Sequence, residues 1–192
     1  LLQLRYKVKT VVVPKSGVGF LQDPSLKLFF KYIGFKQVIE LDDLESIDLG
    51  AGNQITGVPF LGEHGDLNIQ TKKAHHISLN GKSILCAADS NNIEPKMYQH
   101  IHKILGDIDL LFVGMECDGA PLSWVYGALL NEKLPRKMDQ SRRLNGSNYL
   151  KAIDIVDTFN CSHAYVYAMG QEPWLNYVMS IKYTRDRKST RL

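Results

Sequence analysis

The chain has 192 residues, 44% hydrophobic and 22% charged, enough for one domain with one sizeable core. No apolar run reaches the roughly 18 residues that a membrane span needs. The formal charge of +3 owes a net +2 to Arg187, Lys188 and Arg191 against Asp186, leaving +1 without them, so basicity gives no argument for a nucleic-acid partner.

The closing run "DRKSTRL", residues 186–192, reads as translated sequencing-adapter read-through, the alternative being a solvated basic tail. The chain starts at Leu1, not Met, so both ends are expected to be cut. Cys86, Cys117 and Cys161 are odd in number and widely spaced, with no CxxC pair. They read as reduced, buried small residues of a cytoplasmic protein, not as a disulfide framework or a zinc site.

In chain order, "KTVVVPK" is β-branched and predicts a strand. "DPSLKLFFKYIG" has helix-start residues, helical apolar spacing and a terminal Gly. "KQVIEL", "ESIDLG" and "QITGVPFLG" read as strands with Gly turns. "KAHHISLNGKSILCAAD" predicts a hairpin turning at Asn80-Gly81. "EPKMYQHIHKILG" predicts a helix begun by Pro95 and ended by Gly106. "IDLLFVGM" is a buried strand and "PLSWVYGALL" a helix. "NGSNYLKAIDIVDTFN" is an amphipathic helix with Leu150, Ile153, Val156 and Phe159 on its apolar face. "HAYVYAM" is a last strand and "EPWLNYVMSI" a last helix. Hairpins followed by alternating β and α predict a layered α/β domain with a mixed sheet. In such sheets functional groups gather beyond the carboxyl ends of the strands.

Four segments put polar groups just after apolar strands. They carry Glu63, His64 and Asp66; Asp89; Glu116 and Asp118; and Gln171 and Glu172. Carboxylates with imidazole suit a divalent metal, and a carboxylate can bridge two metals. Without a cation such a set would repel and protonate. Each residue also has a plainer reading. Glu63 or His64 can be a solvated loop residue, Asp89 the cap of the next helix, Glu116 and Asp118 turn formers, and Glu172 a helix-start acid. His75 and His76 face opposite sides of a strand and read as structural. His100 and His102 do not share a helix face and read as surface or packing residues. His163 opens the final strand, so with parallel strands it lies at the far end from the site; spacing favours Glu172, although imidazole is the commoner ligand.

"AHHISLNGKSILCAAD" resembles the fourth motif of the metallo-β-lactamase superfamily, where a hairpin delivers a bridging Asp. "GEHGDLNI", "CAADSNN", "GMECDGAPLSWVYG", "QSRRLNGSN" and "YVYAMGQEPWL" resemble the subgroup related to the diiron β-hydroxylases of nonribosomal-peptide pathways. The resemblance covers nearly all of residues 1–185. It implies a metallo-β-lactamase-like αββα sandwich, incomplete at its N-terminus, of which residues 1–185 are the C-terminal portion. It also implies that Glu63 takes the place of the usual third-motif His, with His64 the alternative, and that Asp89 bridges the metals. The last ligand comes from Glu172 or His163. The superfamily's H-x-H-x-D-H motif is absent from this sequence and is expected upstream of Leu1, so this piece alone should bind metal poorly.

What the resemblance implies is a dinuclear iron oxygenase. It would hydroxylate the β-carbon of a carrier-tethered amino acid and draw on an electron donor. A carboxylate in place of a histidine gives an oxygen-rich, anionic site suited to higher iron oxidation states. The alternatives are a dinuclear zinc metallohydrolase of an ester, thioester or phosphodiester, and a non-catalytic binding module. No nucleic-acid or membrane partner is expected. Ser141, Arg142 and Arg143 could hold a carrier's phosphopantetheine or acidic face, or be a solvated loop. Trp124, Tyr126 and Trp174 could line a pocket, but core packing is the plainer reading.

Overall fold

The computed structural model describes residues 2–17, 24–60, 72–115, 132–133, 135–137 and 146–167. Among them, the strands are β1 (Thr10–Pro14), β2 (Gln37–Leu41), β3 (Ser46–Gly50), β4 (Asn53–Pro59), β5 (Lys73–Leu79), β6 (Lys82–Ala88), β7 (Leu110–Gly114) and β8 (His163–Tyr167). The helices are α1 (Ser25–Tyr32), α2 (Pro95–Leu105) and α3 (Tyr149–Thr158). Predicted and observed elements largely coincide where the chain is described, except that α3 starts at Tyr149 where the helix was expected from Asn145, and that a 3₁₀ turn at Leu4–Tyr6 was not expected. The helices predicted at "PLSWVYGALL" and "EPWLNYVMSI" lie outside the described residues.

The order of events differs at the start. The first unit is not a hairpin but β1-α1-β2, with β1 and β2 pairing in parallel as a sheet of their own. A crossover helix is what parallel pairing requires. The second sheet has the order β3-β4-β5-β6-β7-β8. Its first four strands pair antiparallel and its last three in parallel, the predicted mixed sheet. Asn80 and Gly81, at φ 51° and 75°, make the two-residue turn between β5 and β6, the left-handed pair that a hairpin twist demands.

The core lies between the second sheet and α2 and α3. Alternate residues of the strands face it: Val58, Ala74, Leu85, Ala87, Leu111 and Val113. The helices answer with Tyr98, Ile101, Ala152, Ile155 and Phe159, and the Tyr98 and Phe159 rings meet at 5.5 Å. The apolar face expected of α3 is rotated. Leu150 is 74% exposed, whereas Ala152, Ile155 and Phe159 are buried and Val156 is half-buried. The sequence offers two overlapping apolar stripes, and the second, which includes the small Ala152, is the one buried.

The two sheets meet where β2 ends. A Cβ at Gly57 would stand 2.2 Å from the Asp42 carbonyl oxygen, so only glycine lets this chain crossing approach. The Lys73 side chain, 1% exposed, is held by Asp43 and, at 3.6 Å, by Asp42. A buried ammonium survives only with such partners. Among the described residues no helix is long and apolar enough to cross a membrane.

Candidate metal centre

Strands β6, β7 and β8 run in parallel and end together at Ala88, Gly114 and Tyr167. Asp89 stands at this carboxyl edge. Three features set its direction. First, the register between β6 and β7 slips between Cys86 and Ala88, a bulge that turns the strand end. Second, Ala88 takes φ 51°, a left-handed conformation that costs a non-glycine residue about 1–2 kcal/mol. Third, Gly114 lies under the carboxylate: a Cβ there would be 2.5 Å from Asp89 Oδ1 and 3.2 Å from the Ala88 carbonyl oxygen.

The residues after Asp89 anchor it from behind. The Ser147 hydroxyl donates to the Ser90 carbonyl, and Asn91 Nδ2 donates to the Gly146 carbonyl at 3.3 Å. Asn92 Nδ2 donates to the Asp154 carboxylate of α3 and, at 3.2 Å, to Thr158 Oγ1. Ser90, Asn91 and Ser147 are buried. The run of small polar residues is thus a set of short tethers from the strand end to the residues before α3 and to α3 itself.

Asp89 is not a helix cap. Glu94 caps α2, accepting from the Lys96 backbone N–H. The half-buried Asp89 carboxylate receives no hydrogen bond or ion pair from the described residues. Its charged neighbourhood instead includes the Tyr167 phenol, which burial and then the charge of Asp89 hold above its usual pKa. Tyr167 is paired with Gly114, so its side chain leaves the sheet on the side where Asp89 lies. A carboxylate oriented at a strand end, half-buried and without a described cation, fits a metal as its missing counter-charge. Among the described residues alone no cluster of three or more His, Cys, Asp or Glu forms.

The alternative that made His163 the last ligand is corrected by the register. His163 pairs with Leu110, which pairs with Ile84, at the opposite end of the strands from Asp89. From His163 to Tyr167 is four residues, roughly 13 Å of strand, beyond the reach of one metal shared with Asp89. Glu63, His64 and Glu172 lie outside the described residues, as do Asp66, Glu116, Asp118, Gln171, Ser141, Arg142, Arg143, Trp124, Tyr126 and Trp174.

His75 and His76 lie in β5 and His102 in α2. His76 is buried, its Nε2 2.8 Å from Ser83 Oγ. His75, on the other face, is half-buried, and its Nε2 finds no partner among the described residues. Burial holds both imidazoles below their usual pKa. His102 pairs with Asp107 at 2.8 Å. Burial pushes the Cys86 thiol up, and the Cys161 thiol up to about 12, so neither is a ready thiolate. Sequence reasoning missed Gly114 and Ala88. The signal for Gly114 was present in "LLFVGM": a glycine closing an otherwise bulky strand marks a close approach. Nothing in the sequence marks an alanine for φ above zero.

No family model matches the chain. It is 48% identical over 183 residues to the 4-amino-L-phenylalanyl-[CmlP-peptidyl-carrier-protein] 3-hydroxylase of Streptomyces venezuelae, covering 95% of this chain and 34% of that enzyme. The crystal structure of CmlA, a diiron β-hydroxylase from the same organism, superposes with a TM-score of 0.79 at 44% identity, covering 97% of this chain and 36% of CmlA. The isothiocyanate hydrolase from Delia radicum gut bacteria, 11% identical with a TM-score of 0.51 over 88% of this chain and 59% of its own, shares the fold alone. The chain therefore spans about a third of the length of the β-hydroxylase it matches. By sequence and by fold it is similar to the diiron β-hydroxylase CmlA, and its described residues form an α/β fold.

Proposed function

We propose that this chain forms part of a dinuclear non-haem iron oxygenase that hydroxylates the β-carbon of an amino acid tethered to a carrier protein. The observation that carries this reading is the 48% identity, over nearly the whole chain, to an enzyme named for that chemistry. Asp89 is read as the carboxylate bridging two irons and Glu63 as a ligand of one of them. Glu172 is preferred over His163 as the last ligand, because it follows His163 in sequence beyond the end of β8, whereas His163 starts that strand.

When bound, the iron pair supplies O₂ activation, with an external electron donor completing the balance. The chain's own part is positional. The bulge at Ala88 aims the Asp89 carboxylate away from the sheet, and the Ser90–Asn92 tethers stop it from swinging. Tyr167 flanks it on the neighbouring strand end, and its phenol stays neutral at physiological pH. A carrier-tethered substrate and cysteines without a disulfide among the described residues support a cytoplasmic reading.

The test is turnover by the full-length protein of a carrier bearing the relative's 4-amino-L-phenylalanyl group, with O₂ and a reductant, read by intact mass. The reading predicts gain of one oxygen atom by the tethered residue, lost with Asp89→Ala. Release of the residue from its carrier without oxygen gain, by zinc-loaded protein, would replace the oxygenase by a hydrolase.

A further inference from the structure

We propose that Gly114 is a positioning residue for the metal-bridging carboxylate, its missing side chain being the seat in which Asp89 rests. The inference rests on the reading of Asp89 as a metal ligand. Gly57, like Gly114, lacks the left-handed φ seen at Gly34, Gly50, Gly52, Gly81 and Gly106. The backbone at Gly114 is therefore open to any residue, and conformation is not what calls for glycine there. Space is. A Cβ would lie 2.5 Å from Asp89 Oδ1, closer than real Cβ contacts come, while the backbone contact to the Ala88 oxygen, at 3.2 Å, is tight but tolerable.

The carboxylate has no easy escape. Its own backbone is fixed by the bulge and left-handed turn at Ala88, and the following residue is held through its carbonyl by Ser147. A methyl group on Gly114 must rotate the carboxylate out of its direction. Tyr167, the strand partner of Gly114, leaves the sheet on the same side. Asp89 is thus aimed by its neighbours, with Gly114 contributing by what it lacks.

The experiment compares iron content and iron affinity of the full-length protein with those of Asp89→Ala, Gly114→Ala and the double variant, together with thermal midpoints of the metal-free forms. Gly114→Ala should weaken iron binding by about 10- to 100-fold, the range for groups that orient a ligand. In the Asp89→Ala background the same substitution should change neither iron binding nor the midpoint further. If Gly114→Ala folds poorly, the double variant should regain the midpoint, because the group that the methyl meets is gone. Unaltered iron affinity in Gly114→Ala, or a double variant as unstable as Gly114→Ala itself, would overturn the role. An Asp89→Ala protein that keeps its iron would instead overturn the reading of Asp89 on which the inference stands.

Discussion

Asp89 acquires its character from residues with little chemistry of their own. Ala88 bends, Gly114 makes room, and Ser90 and Asn91 fasten the turn to the start of α3. Elsewhere on the same hairpin, burial has the opposite use. His75 and His76 are kept neutral because water is excluded around them. Their folded-state pKa lies below the usual 6.5, so below about that pH the unfolded chain takes up protons that the folded chain refuses. Stability is therefore full above pH 6.5 and falls as the pH drops toward the depressed folded values. Thermal midpoints of the full-length protein measured from pH 7.5 down to about 5 should decline, and His76→Gln should remove part of that slope. An identical slope in the variant would mean that His76 is not the titrating group.

At the scale of elements, α3 shows where patterning alone falls short. Leu150, Ile153, Val156 and Phe159 form one helical stripe; Ala152, Ile155, Val156 and Phe159 form another. The two differ by a rotation that hydrophobicity does not resolve, and the structure buries the second, with Phe159 against Tyr98 of α2. Ile155→Ala should cost about 2–5 kcal/mol, the range for truncating a buried Ile. Leu150→Ala, at a side chain 74% exposed, should cost under about 0.5 kcal/mol. Denaturant titration of the full-length protein compares them, and equal losses would contradict this packing. Strand identity was easier to read than helix rotation. Apolar runs, some β-branched and some bounded by Gly turns, located the described strands, and Asn80-Gly81 located the hairpin to the residue.

For the molecule as a whole, the mixed sheet determines which candidates can meet. Antiparallel hairpins lead into three parallel strands, so the ends of β6, β7 and β8 share one edge. Sequence order alone suggested that edge and named Asp89 on it. The register then removed His163, which chemistry would have favoured, because a strand's start and its end are many ångströms apart. The support was harder to read: Gly114, taken only as part of a buried strand, is here a space, and an alanine in a left-handed bend leaves no mark in the sequence. For the full-length protein the central proposal is that Asp89 and Glu63 hold an iron pair. Metal analysis of that protein, purified without added metal, tests it most directly. The account predicts about two irons per chain, with fewer in Asp89→Ala and in Glu63→Ala. About two zincs, retained in Glu63→Ala and lost in His64→Ala, would contradict it.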